Sequence, residues 1–160
     1  MADIFIGVGS SLNRAESIKV GIQSLTKTFG TLLLSPLYES EAVGFDGDNF
    51  YNLVIGFNTE LQVRELLALL KNIEVESGRL ENAVKFAPRT LDLDLLLYDD
   101  HVEPLLNIPR AEITKNAFVL KPLAEIAPHH VHPVLNKTYQ QLWKEYPQNS
   151  QKLWQITTRL

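Results

Sequence analysis

The chain contains no cysteine, which removes disulfide frameworks, thiolate nucleophiles and cysteine-ligated metals from its chemistry. It also lacks an excess of positive charge: 15 Lys and Arg stand against 19 Asp and Glu, for a formal net charge of −4 and a pI near 5.5. A nucleic-acid binder would show a basic face, so that class is set aside. No apolar run approaches the roughly 20 residues of a membrane span. The start has no basic n-region of a secretory signal, so a cytoplasmic protein without a membrane partner is expected. Internal repeats and low-complexity segments are missing too. What remains is 160 residues, 45% of them hydrophobic and 21% charged, ordinary for a globular protein. That is enough for one domain over 1–160 with a core of its own.

The most informative stretch is Arg89-Thr90-Leu91-Asp92-Leu93-Asp94-Leu95-Leu96-Leu97-Tyr98. Strand alternation sends Asp92 and Asp94 to one side and Leu93, Leu95 and Leu97 to the other. Two carboxylates one pleat apart can share a hard divalent cation that keeps several waters. The plain alternative is a solvated strand face, but the unrelieved leucines that follow read as a strand buried on both sides. Acids at the mouth of such a strand are costly unless paired or metal-bound. Before them, 77–88 keeps no period and reads as a loop with cations at Arg79 and Lys85, joined by Arg89. Acids for a metal beside arginines on a loop suit phosphoryl transfer, although Arg79 also suits the C-terminal end of a helix.

Around this stretch the chain divides into short elements. Asp3 to Gly9 reads as a buried strand, and its Gly-x-Gly end is mostly structural rather than a phosphate cradle. Ala15, Ile18, Ile22, Leu25 and Phe29 form a helical stripe closed by Gly30. Thr31 to Ser40 reads as a strand broken at Pro36, followed by a loop over 41–49. In the strand Phe50 to Thr59, Phe50, Asn52 and Val54 share one face. Phe50 and Asn52 are either a clamp for a flat heterocycle or a core pair. A second helix spans Gln62 to Glu76, with Val63, Leu66, Leu67, Leu70 and Ile73 buried and Glu74 near its end. After the acidic strand come a hairpin arm over 102–109, helices over 115–127 and 136–146, and a last strand over 152–158. His129, His130 and His132 read as a solvated loop rather than a metal cluster. The order up to Tyr98 is βαββαβ, an α+β ferredoxin-like core with helices on one face and C-terminal additions.

The segment Arg89 to Tyr98 closely resembles the signature of the 6-hydroxymethyl-7,8-dihydropterin pyrophosphokinase family. The likeness extends to Gly9-Ser10, Phe50-Tyr51-Asn52, Glu74 with Gly78-Arg79, and the run from Phe118 to Pro128. The resemblance implies transfer of diphosphate from ATP to the pterin hydroxymethyl group, with release of AMP, in folate biosynthesis. It implies that Asp92 and Asp94 bind two magnesium ions, and that Arg79 and Arg89 stabilise the transferring phosphates. Val43, Gly44, Phe50, Asn52, Asp92 and Phe118 would form the pterin pocket. Glu74, Arg79, Lys85, Arg89, Leu95 and Arg110 would face the nucleotide. A monomer with only small-molecule partners is expected.

The chain departs from the family pattern at Ser11, Glu81, Arg110, Ala111 and Asn116, nearly all on the nucleotide side. Two alternatives stand beside this reading: a diverged paralogue acting on another pterin-like alcohol, allowed by the Glu41-Ala42 pair, and a non-catalytic module that holds a pterin or nucleotide, motivated by the changed nucleotide positions.

Overall fold

The computed structural model describes residues 1–11, 13–41, 49–81, 91–147 and 151–156, with the side chains of 78–81 left aside. The first elements are β1 (Ala2–Ser10), α1 (Arg14–Phe29), β2 (Leu33–Leu34), β3 (Leu37–Ser40), β4 (Phe50–Thr59) and α2 (Val63–Glu81). Then come β5 (Asp92–Tyr98), α3 (Ala117–Ile126), α4 (Tyr139–Glu145) and β6 (Leu153–Ile156). The sheet runs β5-β1-β4-β3-β6, with β2 also paired to β4, and every described pair is antiparallel. This is the expected α+β, ferredoxin-like arrangement, extended by β6 at one edge.

The expected break at Pro36 splits the second strand into β2 and β3. Proline has no N–H for the ladder. Ser35 maintains the link there, its N–H donating to the Val54 carbonyl and its Oγ accepting from the Val54 N–H at 2.8 Å.

Ile4, Ile6 and Val8 of β1 pack with Leu53 and Ile55 of β4 and Leu93 and Leu95 of β5 against Ile18, Leu25, Leu66, Leu70 and Ile73 of α1 and α2. Each such side chain contributes about 1.5–3 kcal/mol when fully buried. Where α1 comes closest, Gly21 faces Leu91, and a Cβ there would lie 2.9 Å from Leu91 Cδ2. Ala15 is exposed, while Ser17 and Gly21 complete the buried stripe of α1.

The opposite face is also covered, which corrects the one-sided reading. Phe5, Val54, Leu96 and Leu97 meet Val119, Leu120 and Leu123 of α3 and Tyr139 of α4. Tyr38 of β3, 1% exposed, donates to Glu125 of α3, and burial beside that carboxylate holds its phenol well above the usual range.

Three further boundaries differ from expectation. The second helix does not end at Glu76 but carries 77–81 as well. Residues 102–109 form a short 3-10 turn over Pro104–Leu106, closed by the Glu103–Ile108 bridge, instead of a hairpin arm. A register shift between Phe5 and Ile6 places Leu97 opposite Phe5 and Leu95 opposite Ile6. Leu96 is the extra residue of this bulge. Leu97 therefore joins Leu96 on the α3 side instead of sharing a face with Leu93 and Leu95.

Candidate active site

The face of the sheet beneath α3 holds a cavity of about 240 Å³ at the acidic end of β5. Its floor follows from strand register. Asp92 is the cross-strand partner of Gly9, and Asp94 that of Gly7. Gly9 in turn faces Asn52, and Gly7 faces Val54, on β4. Each carboxylate thus has as its neighbour on β1 a residue without a side chain, which leaves room beside it for a cation and its waters. The fit around Asn52 is close: a Cβ at Gly9 would lie 3.1 Å from Asn52 Oδ1.

One wall belongs to β3 and β4. Phe50 lines it half-buried, and Asn52, 7% exposed, donates from Nδ2 to Ser40 Oγ at 2.8 Å. That bond leaves the amide oxygen of Asn52 on the side of Gly9. Ser40 and Glu41 complete the wall. The other wall is the start of α3, with Asn116, Phe118 and Val119. Phe50 and Phe118 thus come from different elements into one cavity, so the strand face that carries Phe50 and Asn52 opens on the site rather than into closed core.

Arg110 and Glu112 stand at the acid end. The Arg110 N–H donates to the Leu96 carbonyl at 3.0 Å, tying the segment after Pro109 to β5. Its guanidinium reaches Asp94, Nη2 to Oδ1 3.5 Å, and Glu112, Nε to Oε2 3.0 Å. Asn107 Nδ2 also donates to Glu112 Oε2, at 3.4 Å. The Asp94 side chain stays 49% exposed beside this pairing. Asp92 and Asp94 offer oxygens to a cation, and the Arg110 guanidinium beside them offers N–H donors to an anion, the pairing that a metal-chelated phosphate chain demands.

Of the site residues read from sequence, Asp92, Asp94, Phe50, Asn52, Phe118 and Arg110 converge on this cavity. Leu95 does not: it is 3% exposed and its side chain packs in the core on the α1 and α2 side, because its parity on β5 is opposite to that of the acids. Glu74 lies half-buried on α2 and does not line the cavity. Arg79 falls in the last turns of α2, its side chain outside the described residues, and Val43, Gly44, Lys85 and Arg89 lie outside them altogether.

Sequence reasoning missed Gly7, Ser40, Leu96 and Glu112 and gave Gly9 too small a part. Beyond Phe5, Ile6 and Val8 alternate with Gly7 and Gly9, a period-2 pattern whose second face carries no side chain at those two positions, and that was a legible signal for a cavity floor. The histidines form no part of the site. His132 is buried, and its Nδ1 accepts from the Val134 and Leu135 N–H groups at 3.2 and 3.1 Å, while His129 and His130 are exposed.

Residues 5–128 match the family model of 7,8-dihydro-6-hydroxymethylpterin-pyrophosphokinase. The chain is 38% identical over 157 residues to a 2-amino-4-hydroxy-6-hydroxymethyldihydropteridine pyrophosphokinase of Aquifex aeolicus, covering 95% of each chain. It is 37% identical over 131 residues to the protein of that name from Pseudomonas aeruginosa, covering 78% of this chain and 80% of the relative. Among solved structures, a Plasmodium falciparum HPPK-DHPS superimposes with a TM-score of 0.70 at 14% identity, over 91% of this chain and 43% of that one. At that identity the superposition speaks for the fold alone.

Proposed function

This chain belongs to the 7,8-dihydro-6-hydroxymethylpterin-pyrophosphokinase family, and from that premise we propose how its cavity works. The enzyme transfers diphosphate from ATP to the hydroxymethyl group of 6-hydroxymethyl-7,8-dihydropterin, releasing AMP, in folate synthesis. In that transfer the hydroxymethyl oxygen bonds to the β-phosphorus. The bond from that phosphorus to the oxygen bridging the α-phosphorus breaks, and AMP leaves with the bridging oxygen.

The observation that carries our reading is the convergence of Asp92, Asp94, Phe50, Asn52, Phe118 and Arg110 on one cavity. We place the pterin between Phe50 and Phe118, where a flat heterocycle gains stacking on both faces. Asn52 meets its edge, because an amide both donates and accepts and its oxygen faces the cavity. The hydroxymethyl group then points along the β1 floor towards Asp92, the carboxylate we assign to take its proton.

The donor set fits magnesium: hard carboxylate oxygens on Asp92 and Asp94, both partly exposed, beside Gly7 and Gly9. When bound there, magnesium supplies charge neutralisation for the phosphate chain and holds its oxygens in register. We assign Asp92 and Asp94 to hold two such ions, and Arg110 to take phosphate oxygens. Arg79, Lys85 and Arg89 are assigned to the charge that develops as the phosphates transfer, and Glu74 to the nucleotide side. Catalysis rests on positioning and preset electrostatics, with no covalent intermediate. No described helix is long and apolar enough to cross a membrane. We read the chain as a cytoplasmic monomer acting on small molecules.

The test is AMP release from ATP, magnesium and 6-hydroxymethyl-7,8-dihydropterin, beside an Asp94→Ala control. AMP that depends on the pterin and falls at least about 100-fold in the control supports the reading, since losing a charge-stabilising group costs several kcal/mol at about 1.4 kcal/mol per factor of ten. Pterin-dependent AMP at full rate in Asp94→Ala would remove the metal assignment.

A further inference from the structure

The family match ends at residue 128, but the chain's hold on the cavity does not. After α4 the backbone returns to the start of α3. Tyr146 Oη donates to the Lys115 carbonyl at 2.8 Å. Gln151 then meets the same turn through both ends of its amide. Oε1 accepts from the Ala117 N–H at 2.8 Å, while Nε2 donates to the Lys115 carbonyl at 3.3 Å and to Asn116 Oδ1 at 3.4 Å. The first N–H groups of a helix have no partner within it. Asn116, in the N-cap position of α3, makes no side-chain cap bond of its own. Gln151 does that work from a distant part of the chain.

From Gln151 the chain passes directly into the other wall. Lys152 Nζ lies 3.6 Å from Glu41 Oε1, and Leu153 opens β6 opposite Ser40 of β3. Ser40 and Glu41 line one side of the cavity, Asn116 and Phe118 the other. One short run of backbone is therefore fastened to both walls.

We propose that Gln151 is a positioning residue for the pterin: by capping α3 from outside, it sets where Asn116 and Phe118 stand relative to the β3–β4 wall. The inference rests on the reading that this cavity holds the pterin. A cap shifts the α3 wall without touching the ligand, so its loss weakens pterin binding while sparing the nucleotide end, where Asp92, Asp94 and Arg110 are anchored on β5.

The experiment uses the full-length protein with 6-hydroxymethylpterin followed by fluorescence and a non-hydrolysable ATP analogue followed by calorimetry. In Gln151→Ala the pterin Kd rises roughly three- to tenfold, the scale of one or two lost hydrogen bonds, and the analogue Kd stays within a factor of two. Gln151→Glu keeps an oxygen for the Ala117 N–H and recovers part of the pterin affinity. Thr138→Ala removes the cap of α4, whose Oγ1 accepts from the Gln141 N–H. It lowers Tm comparably and leaves the pterin Kd unchanged. The proposal is overturned if Gln151→Ala binds pterin as the unmodified protein does, if both ligands weaken equally, or if Thr138→Ala weakens pterin as much. Failure of the unmodified protein to bind pterin would instead overturn the assignment of the cavity.

Discussion

Arg110 and Asp94 pair at the acid end of the cavity, Nη2 to Oδ1 3.5 Å, while Glu112 holds the same guanidinium at 3.0 Å through Nε. Among the described residues, the arginine is thus a cation already beside Asp94, the carboxylate we assign to magnesium. Glu112 grips Nε, so the outer nitrogens stay in the cavity when Asp94 turns to another partner. A guanidinium kept in place like this loses little freedom when it takes a phosphate.

Arg110→Gln is therefore expected to act in two opposite directions. The magnesium concentration for half-maximal AMP release falls, because Asp94 loses a competing cation. The KM for ATP rises about tenfold, as expected for a lost charge-assisted contact. Magnesium and ATP titrations of the same preparation check both. A parallel rise of the two constants would show that Arg110 does not compete for Asp94.

Gly9 is the position where the floor has least tolerance. Gly9→Ala brings a methyl group to 3.1 Å from Asn52 Oδ1, so the amide we assign to the pterin edge must give way. We expect pterin affinity to fall about tenfold, and the affinity for ATP with magnesium to fall as well, because the same methyl takes room beside Asp92. Fluorescence titration measures the first effect, and unchanged pterin affinity would place the heterocycle away from Asn52.

Gly21 tests the fold instead of the chemistry. An added Cβ would stand 2.9 Å from Leu91 Cδ2, in a core where Leu91 is fully buried. Gly21→Ala is expected to lower Tm by roughly 2–12 °C, taking overpacking at about 1–3 kcal/mol and 2–4 °C per kcal/mol for a chain this size. Since Leu91 immediately precedes Asp92, activity should fall with it. A variant as stable as the parent would mean that α1 and Leu91 are less tightly apposed than the structure has them.

His132 sets a pH limit. Burial lowers its pKa from 6.5, and its Nδ1 is committed as an acceptor to two backbone N–H groups. The unfolded chain therefore binds this proton more tightly than the folded one. The stability concerned is whole above pH 6.5 and drains away as pH falls from 6.5 towards the folded value. In His132→Asn an amide oxygen takes the acceptor role without titrating. The Tm difference between the parent and His132→Asn should shift in favour of the variant between pH 7.5 and 5. A constant difference across that range would exclude His132 as the source.

The elements that could be read from sequence were those with an unbroken period. β4 spans Phe50–Thr59, as its alternation required, and Asp92 and Asp94 share a face as the pleat demands. Where a polar residue took a buried place, the reading stopped early. Ser77 follows Ile73 by four and is 1% exposed, so the buried stripe of α2 continues through a residue that looked like loop. Leu95 was assigned to the nucleotide although its parity sends it into the core. Gln151 was invisible for another reason: its partners lie 34–36 residues away, and no local pattern announces a side chain that caps a distant helix.

The bulge at Leu96 divides β5 into two parts that run out of phase. Upstream of it, even-numbered positions look onto the cavity; downstream, Leu97 takes that side. A perfectly regular strand would impose a single parity on its whole length, and every change in the hydrophobic half would have to respect the parity of the acids. Here the extra residue works like a frame shift within one strand. Core substitutions beyond it are free to follow the demands of α3 and α4, while Asp92 and Asp94 keep their orientation. Deleting Leu96 would join the two frames into one regular strand, with Leu95 and Leu97 keeping the faces they hold now, at the cost of the side chain that Leu96 packs beneath α3.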